Sequence, residues 1–99
     1  MYKQEEIEQW AKERGIYDSS DLISQARITV EESLETLMAC ELGDTDKISD
    51  GIGDVYVTLV NVAYMAGLDL KECIDGAYDE ISQRQGEINP ETGKWEKYA

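Results

Sequence analysis

Two acidic clusters at helical spacing carry the chemistry that this sequence can do. The first is Glu31-Glu32-Ser33-Leu34-Glu35 and the second is Asp50-Gly51-Ile52-Gly53-Asp54, with a turn at Gly43-Asp44 between them. Residues three or four apart on a helix are neighbours, so Glu32/Glu35, Glu31/Glu35 and Asp50/Asp54 are each able to share one ion. On antiparallel helices both sets face one space, where a hard cation such as Mg²⁺ takes oxygen ligands and keeps several waters. The same pairs also occur on solvated helix faces, and spacing alone leaves both readings open.

Composition narrows the choice. Nine basic and 22 acidic residues give a formal net charge of −13, and there is no histidine. Nucleic-acid phosphates need a basic face, so no nucleic-acid partner is expected. Without histidine there is no imidazole base and no His-ligated zinc, and the available metal ligands are carboxylate and carbonyl oxygens. Cys40 and Cys73 lie far apart in apolar-patterned segments and read as small buried hydrophobes. No leader-like segment and no apolar run of about 18 residues is evident, so no membrane contact is expected and a cytoplasmic location is the plain reading.

The elements that must position these acids follow from hydrophobic period and stop signals. Residues 3–14 read as a helix with the stripe Ile7, Trp10 and Ala11, ended by Gly15, and Trp10 is taken as core or interface. Asp18-Ser19-Ser20-Asp21 supplies N-cap residues for a second helix over Asp21–Leu42. There Val30, Leu34, Leu37 and Met38 share one face, with Glu31 and Glu35 at its edge and Glu32 beyond it. Asp44 or Asp46 caps a third helix, Lys47–Ala66, with Ile52, Val55, Tyr56, Leu59, Val62 and Ala63 as its core side. Asp50, Asp54, Thr58 and Asn61 form a polar stripe opposite. A strand over Val55–Val62 competes, and the long 3.6-residue period decides for helix. Asp69 caps a fourth helix, Leu70–Gln85, with Ile74, Ala77, Tyr78 and Ile81 as core. Residues 86–99 read as an irregular tail with turns at Asn89-Pro90 and Thr92-Gly93. The expected architecture is one all-α domain of four helices over residues 1–99. A chain of this size buries only about 60–65% of its unfolded surface, so a homo-oligomeric helical bundle is expected.

The order of motifs resembles the MazG-like branch of the all-α nucleoside triphosphate pyrophosphohydrolases. Glu31-Glu32-Ser33-Leu34-Glu35 matches the family's E-E-x-x-E, and Asp54 matches the last residue of its E-x-x-D. Gly67-Leu68-Asp69-Leu70 is similar to the segment that begins the family's fourth helix. Trp10-Ala11, Gly15-Ile16 and Gln25 upstream, and Ala77-Tyr78, Ile81, Arg84, Gly86, Gly93 and Lys97 downstream, extend the likeness over nearly the whole chain. The first acid of E-x-x-D is replaced by Gly51, and Asp50 is the nearest substitute. Ile28 and Gln85 stand where many relatives have lysine.

The resemblance implies Mg²⁺-dependent cleavage of an NTP or dNTP between the α and β phosphates, giving a nucleoside monophosphate and pyrophosphate, with Mn²⁺ as an alternative ion. It carries Glu32, Glu35 and Asp54 over as metal ligands and Glu31 as a further ligand or the group that orients the attacking water. Arg84 and Lys97 are then candidates to neutralise β and γ phosphate charge, or simply pair with nearby acids. Asn61 is a candidate to hydrogen-bond base or sugar, or a plain helix-surface amide. The assembly expected is a homodimer or homotetramer. A different class of function, a non-catalytic acidic interaction protein (an inactive relative or a DNA mimic), stays open because of the net charge and Gly51.

Overall fold

A computed structural model describes residues 1–98 of the chain. Its elements are α1 (Gln4–Glu13), α2 (Ile16–Ser19), α3 (Leu22–Leu42), α4 (Thr45–Met65), α5 (Leu70–Ile81), β1 (Gly86–Ile88) and β2 (Trp95–Lys97). The all-α expectation holds in outline, because helices make up most of the chain. Four long segments fall where the hydrophobic period put them. A single extra turn, α2, sits between the first two, and the fourth helix ends at Ile81 rather than Gln85.

The helix ends follow local chemistry. Asp21 caps α3 by accepting the Ser24 backbone N–H at 2.8 Å, a bond that holds its carboxyl below the usual range. At the other end Gly43, at φ 69°, lets the Asp44 N–H reach the Ala39 carbonyl, and Asp44 then caps α4 through the Lys47 N–H. Of the two caps that the sequence offered, Asp44 is the one used. The chain thus reverses within two residues, and α3 and α4 become an antiparallel hairpin. Across the Ala66–Asp69 break α5 leaves at 105° to α4. Leu70 at its start joins Val60 and Ala63 in a small core against which Ile7 of α1 and Tyr56 of α4 pack.

The face assignment on α4 is corrected. Thr58 and Asn61, expected opposite the core, are 6% and 4% exposed, whereas Ile52, expected inside, is 63% exposed and Leu59 is also out. The reason lies on α3. Its side toward α4 carries Gln25, Thr29, Glu32 and Thr36, so small polar groups meet small polar groups. Thr29 donates its hydroxyl to Thr58 Oγ1 at 2.9 Å, and Thr58 in turn donates to the Val55 carbonyl at 2.7 Å. One helical stretch further along, Thr36 donates to the Glu32 carbonyl at 2.8 Å and lies against Gly51. A Cβ added at Gly51 would stand 3.0 Å from Thr36 Cβ and closer still to its hydroxyl.

Apolar side chains face outward elsewhere too. Val30, Leu34, Leu37 and Met38 of α3 and Ile74, Tyr78 and Ile81 of α5 are exposed, against the expectation that both apolar faces turn to the core. Cys40 and Cys73 are likewise exposed rather than buried. The tail is not irregular: Gly86–Ile88 and Trp95–Lys97 form an antiparallel hairpin, with Asn89 donating to the Lys94 carbonyl and Gly93 to the Asn89 carbonyl. Three-residue strands are too short to show an alternating pattern, which is why the sequence reads only as turns. Ala99, the end of that expected tail, lies outside the described residues.

Replacement of two α4 glycines should give opposite signs. Gly53→Ala meets nothing within 4 Å and should stabilise by about 0.5–1 kcal/mol through helix propensity. Gly51→Ala must push against Thr36 and should destabilise by about 1–3 kcal/mol despite the same propensity gain. Urea denaturation of the two variants checks this, and equal effects would show that α3 and α4 do not approach closely at Gly51.

Candidate functional site

The close α3–α4 contacts bracket the acids. Thr29 meets Thr58 on one side and Thr36 meets Gly51 on the other, which puts Glu32 and Glu35 beside Asp54 in between. Glu32 is part-buried, and its Oε2 is a buried oxygen without a hydrogen-bond partner. Its carboxyl is raised above the ordinary carboxylate range, first by desolvation, then by the fields of Glu35 and Asp54, and last by that of Glu31. Acids of both clusters therefore act on Glu32, as the antiparallel packing of α3 and α4 allows.

Beyond them a groove of about 380 Å³ opens between the helices. Glu35, Asp50 and Asp54 line it together with Lys47, and Met38, Ala39 and Leu42 supply its apolar wall. Asp50 thus shares a groove with the motif acids. Lys47 was not anticipated. It is the cation that lines the acidic groove, three residues before Asp50 and seven before Asp54, a spacing that puts all three on one side of α4.

The remaining candidates lie apart from that groove. Arg84, just beyond α5, pairs with Glu80 at 2.8 Å, the local-pairing reading of its charge. Lys97 is exposed on β2, opposite Gly86. Asn61 is not a surface amide: its Oδ1 accepts the Tyr17 hydroxyl at 2.8 Å, and the Tyr17 ring stacks on Tyr64 at 4.1 Å. Burial foremost, then the fields of Glu8 and Tyr64, push the Tyr17 hydroxyl up to about 12, so it stays a donor to Asn61. Asn61 in this position ties the α2 turn to α4.

The donor set suits a hard cation in kind, since every member is a carboxylate, and the orphaned Glu32 oxygen is a group such an ion would satisfy. Among the described residues, however, no three acids or cysteines stand close enough to hold one ion between them. Also among the described residues, no single helix is long and apolar enough to cross a membrane. No family model, curated protein or solved structure matches the chain.

The raised Glu32 carboxyl sets a pH dependence. The folded chain binds this proton more tightly than the unfolded chain, so stability falls as pH rises from about 4.3, the unfolded glutamate value, through the raised folded value. Above that the penalty is complete. Glu32→Gln removes it, and should raise the melting temperature at pH 7–8 while changing it little near pH 4. A variant that melts lower than the parent at pH 7–8 would contradict the assignment of an unrelieved charge.

Proposed function

We propose that the chain is a Mg²⁺-dependent nucleotide pyrophosphohydrolase of the MazG-like type, cleaving an NTP or dNTP between the α and β phosphates. The observation that carries this reading is the buried, partnerless Glu32 oxygen in the field of Glu35, Asp54 and Glu31. Such an arrangement costs stability in the folded chain, and a bound cation would relieve that cost. Glu32, Glu35 and Asp54 would hold the ion once drawn together around it, with Asp50 on the groove side in place of the acid absent at Gly51. Mg²⁺ when bound, or Mn²⁺ in its place, supplies neutralisation of phosphate oxygens and a more acidic water. Glu31, exposed at the edge of the cluster, orients the attacking water toward the α-phosphorus. Lys47 at the groove neutralises phosphate charge, a role that Arg84, paired with Glu80, and Lys97, apart from the groove on β2, do not share; Asn61 serves through Tyr17 as the tie between α2 and α4 rather than by meeting the base.

The working form is a homodimer or homotetramer. The accessible surface of 7489 Å² exceeds the roughly 5,700 Å² of an ordinary monomer of this mass. The radius of gyration of 15.9 Å likewise exceeds the roughly 13 Å of a compact chain of about 100 residues. Ile23, Val30, Leu34 and Leu37 lie on the side of α3 turned away from Thr29 and Thr36, and they form the stripe that a second copy covers.

Release of pyrophosphate from a panel of NTPs and dNTPs, with and without Mg²⁺, tests the activity. Glu35→Gln and Asp54→Asn should each lose at least about 100-fold, since even outer-shell partners of metals are worth about 10–100-fold. Asp50→Asn should shift the Mg²⁺ dependence to higher concentration, and an unchanged dependence removes Asp50 from the site. Gly51 and the absence, among the described residues, of a close acid triad favour the second reading, a non-catalytic acidic interaction protein; no release from any nucleotide decides for it. Leu37→Glu tests the assembly: light scattering should report a fall from multimer to monomer mass with helix content kept. A parent protein already monomeric at micromolar concentration would refute it.

A further inference from the structure

A second groove lies on the far side of Asp54. It runs between α1 and α4, measures about 340 Å³, and is lined by Ile7, Trp10 and Val57 with Lys3, Glu6 and Asp54 at its polar side. Trp10, expected as core or interface, is 40% exposed there. Lys3 reaches this groove against two local preferences. Among the described residues it is the one non-glycine residue in the left-handed region, at φ 54°, where Cβ crowds the following carbonyl oxygen. It also takes the N-cap position of α1, where Ser, Thr, Asp or Asn would accept a backbone N–H, and its side chain makes no such bond. Neither preference selects lysine. The Tyr56 hydroxyl of α4 donates to the Tyr2 carbonyl, and the Lys3 ammonium lies 5.3 Å from the centre of the Tyr2 ring. Residues 1–3 are thus a strap pinned to α4 two residues beyond Asp54.

We infer that Lys3 is the built-in counter-charge of Asp54 in the cation-free chain, and that a divalent cation bound at the acids displaces it; the inference rests on the metal reading of the acidic groove. A groove of this volume equals a sphere about 9 Å across, less than the Debye length of about 10 Å at 0.1 M salt. Charges on its two walls therefore act on each other. The ion pairs among the described residues belong to Lys71 and Arg84, so the Lys3 ammonium is not locked to one acid and is able to give way. Glu6, one turn further into α1, keeps it in the groove when an ion takes Asp54. Asp54 stands between two lysines, Lys47 in the first groove and Lys3 in the second. Lys3 in this role stabilises the empty site and weakens its hold on the metal, which is an autoinhibitory contact.

Urea unfolding of the full chain at low salt, without divalent cations, tests the contact. Lys3→Met keeps the stem and the backbone conformation and removes the charge. It should destabilise the parent, and do so less in an Asp54→Asn background. The two effects on the folding constant should differ by about 1.4- to 5-fold, the range of an exposed ion pair, and agree in 1 M NaCl. Lys3→Met should also reach half of its Mg²⁺-induced stabilisation at a Mg²⁺ concentration lower by a similar factor, whereas Lys3→Arg matches the parent. Lys3→Gly relieves the left-handed backbone and should still show the low Mg²⁺ midpoint of Lys3→Met, which separates charge from strain. Equal effects of Lys3→Met in both backgrounds overturn the counter-charge, as does an unchanged midpoint in a parent that Mg²⁺ stabilises. A parent that Mg²⁺ leaves unstabilised, with the low-salt coupling present, supports the counter-charge while refuting the metal reading and the displacement with it.

Discussion

The structure depends on how closely α3 and α4 approach. Two contacts set that distance, Thr29 with Thr58 and Thr36 with Gly51, each seven residues from the other along its helix. Every hydroxyl among them is occupied: Thr58 and Thr36 bond back to carbonyls of their own helices, and Thr29 bonds across. Small side chains permit the approach, and satisfied hydroxyls remove the cost that polar groups would otherwise bring to a helix interface. The acids between the two contacts have no freedom to spread. Glu32 is held beside Glu35 and Asp54 because the helices are fixed on either side of it.

That constraint explains both what the site has and what it lacks. Position 51 is filled by close approach of the α3 side chain Thr36 to the α4 backbone. Any side chain at 51 would meet Thr36. Asp50, one residue earlier, escapes the conflict because it sits about 100° around the helix and points along the groove. A side chain is excluded at 51 and admitted at 50 by a single steric fact.

Much of the fold was legible in the sequence because helix ends are set locally. Asp21, Gly43, Asp44, Gly67 and Asp69 mark boundaries by chemistry that acts within four residues, and the structure uses each of them near its expected place. The acidic clusters were legible for the same reason, since i, i+4 spacing is a property of one helix. What the sequence does not reveal is which face of a helix turns inward when both faces have a claim. On α4 an apolar face of Ile52 and Leu59 competes with a face of Gly51 and Thr58, and hydrophobic reasoning chooses the first. The choice fails because α3 offers a matching row of Thr29 and Thr36, a pairwise fact that neither helix shows alone. Lys47 and Trp10 were missed in the same way: each joins a groove made by two elements.

The two faces of the α3–α4 pair then divide the work. On one side lie the acids and the two grooves that meet at Asp54; on another lie Val30, Leu34, Leu37, Ile52 and Leu59 in water. A small chain with a core of little more than Val60, Ala63 and Leu70 has few other ways to bury apolar surface. Burying those outward residues contributes about 25 cal/mol per Å², so a few hundred square ångströms outweighs the repulsion within one acid cluster at protein-surface dielectric. Glu31 and Glu35 lie at the margin of the apolar arc. Covering that arc also removes water from one flank of the acids and raises the cost of their unneutralised charge. An assembly that covered this arc would thereby leave the acidic groove more demanding of a counter-charge.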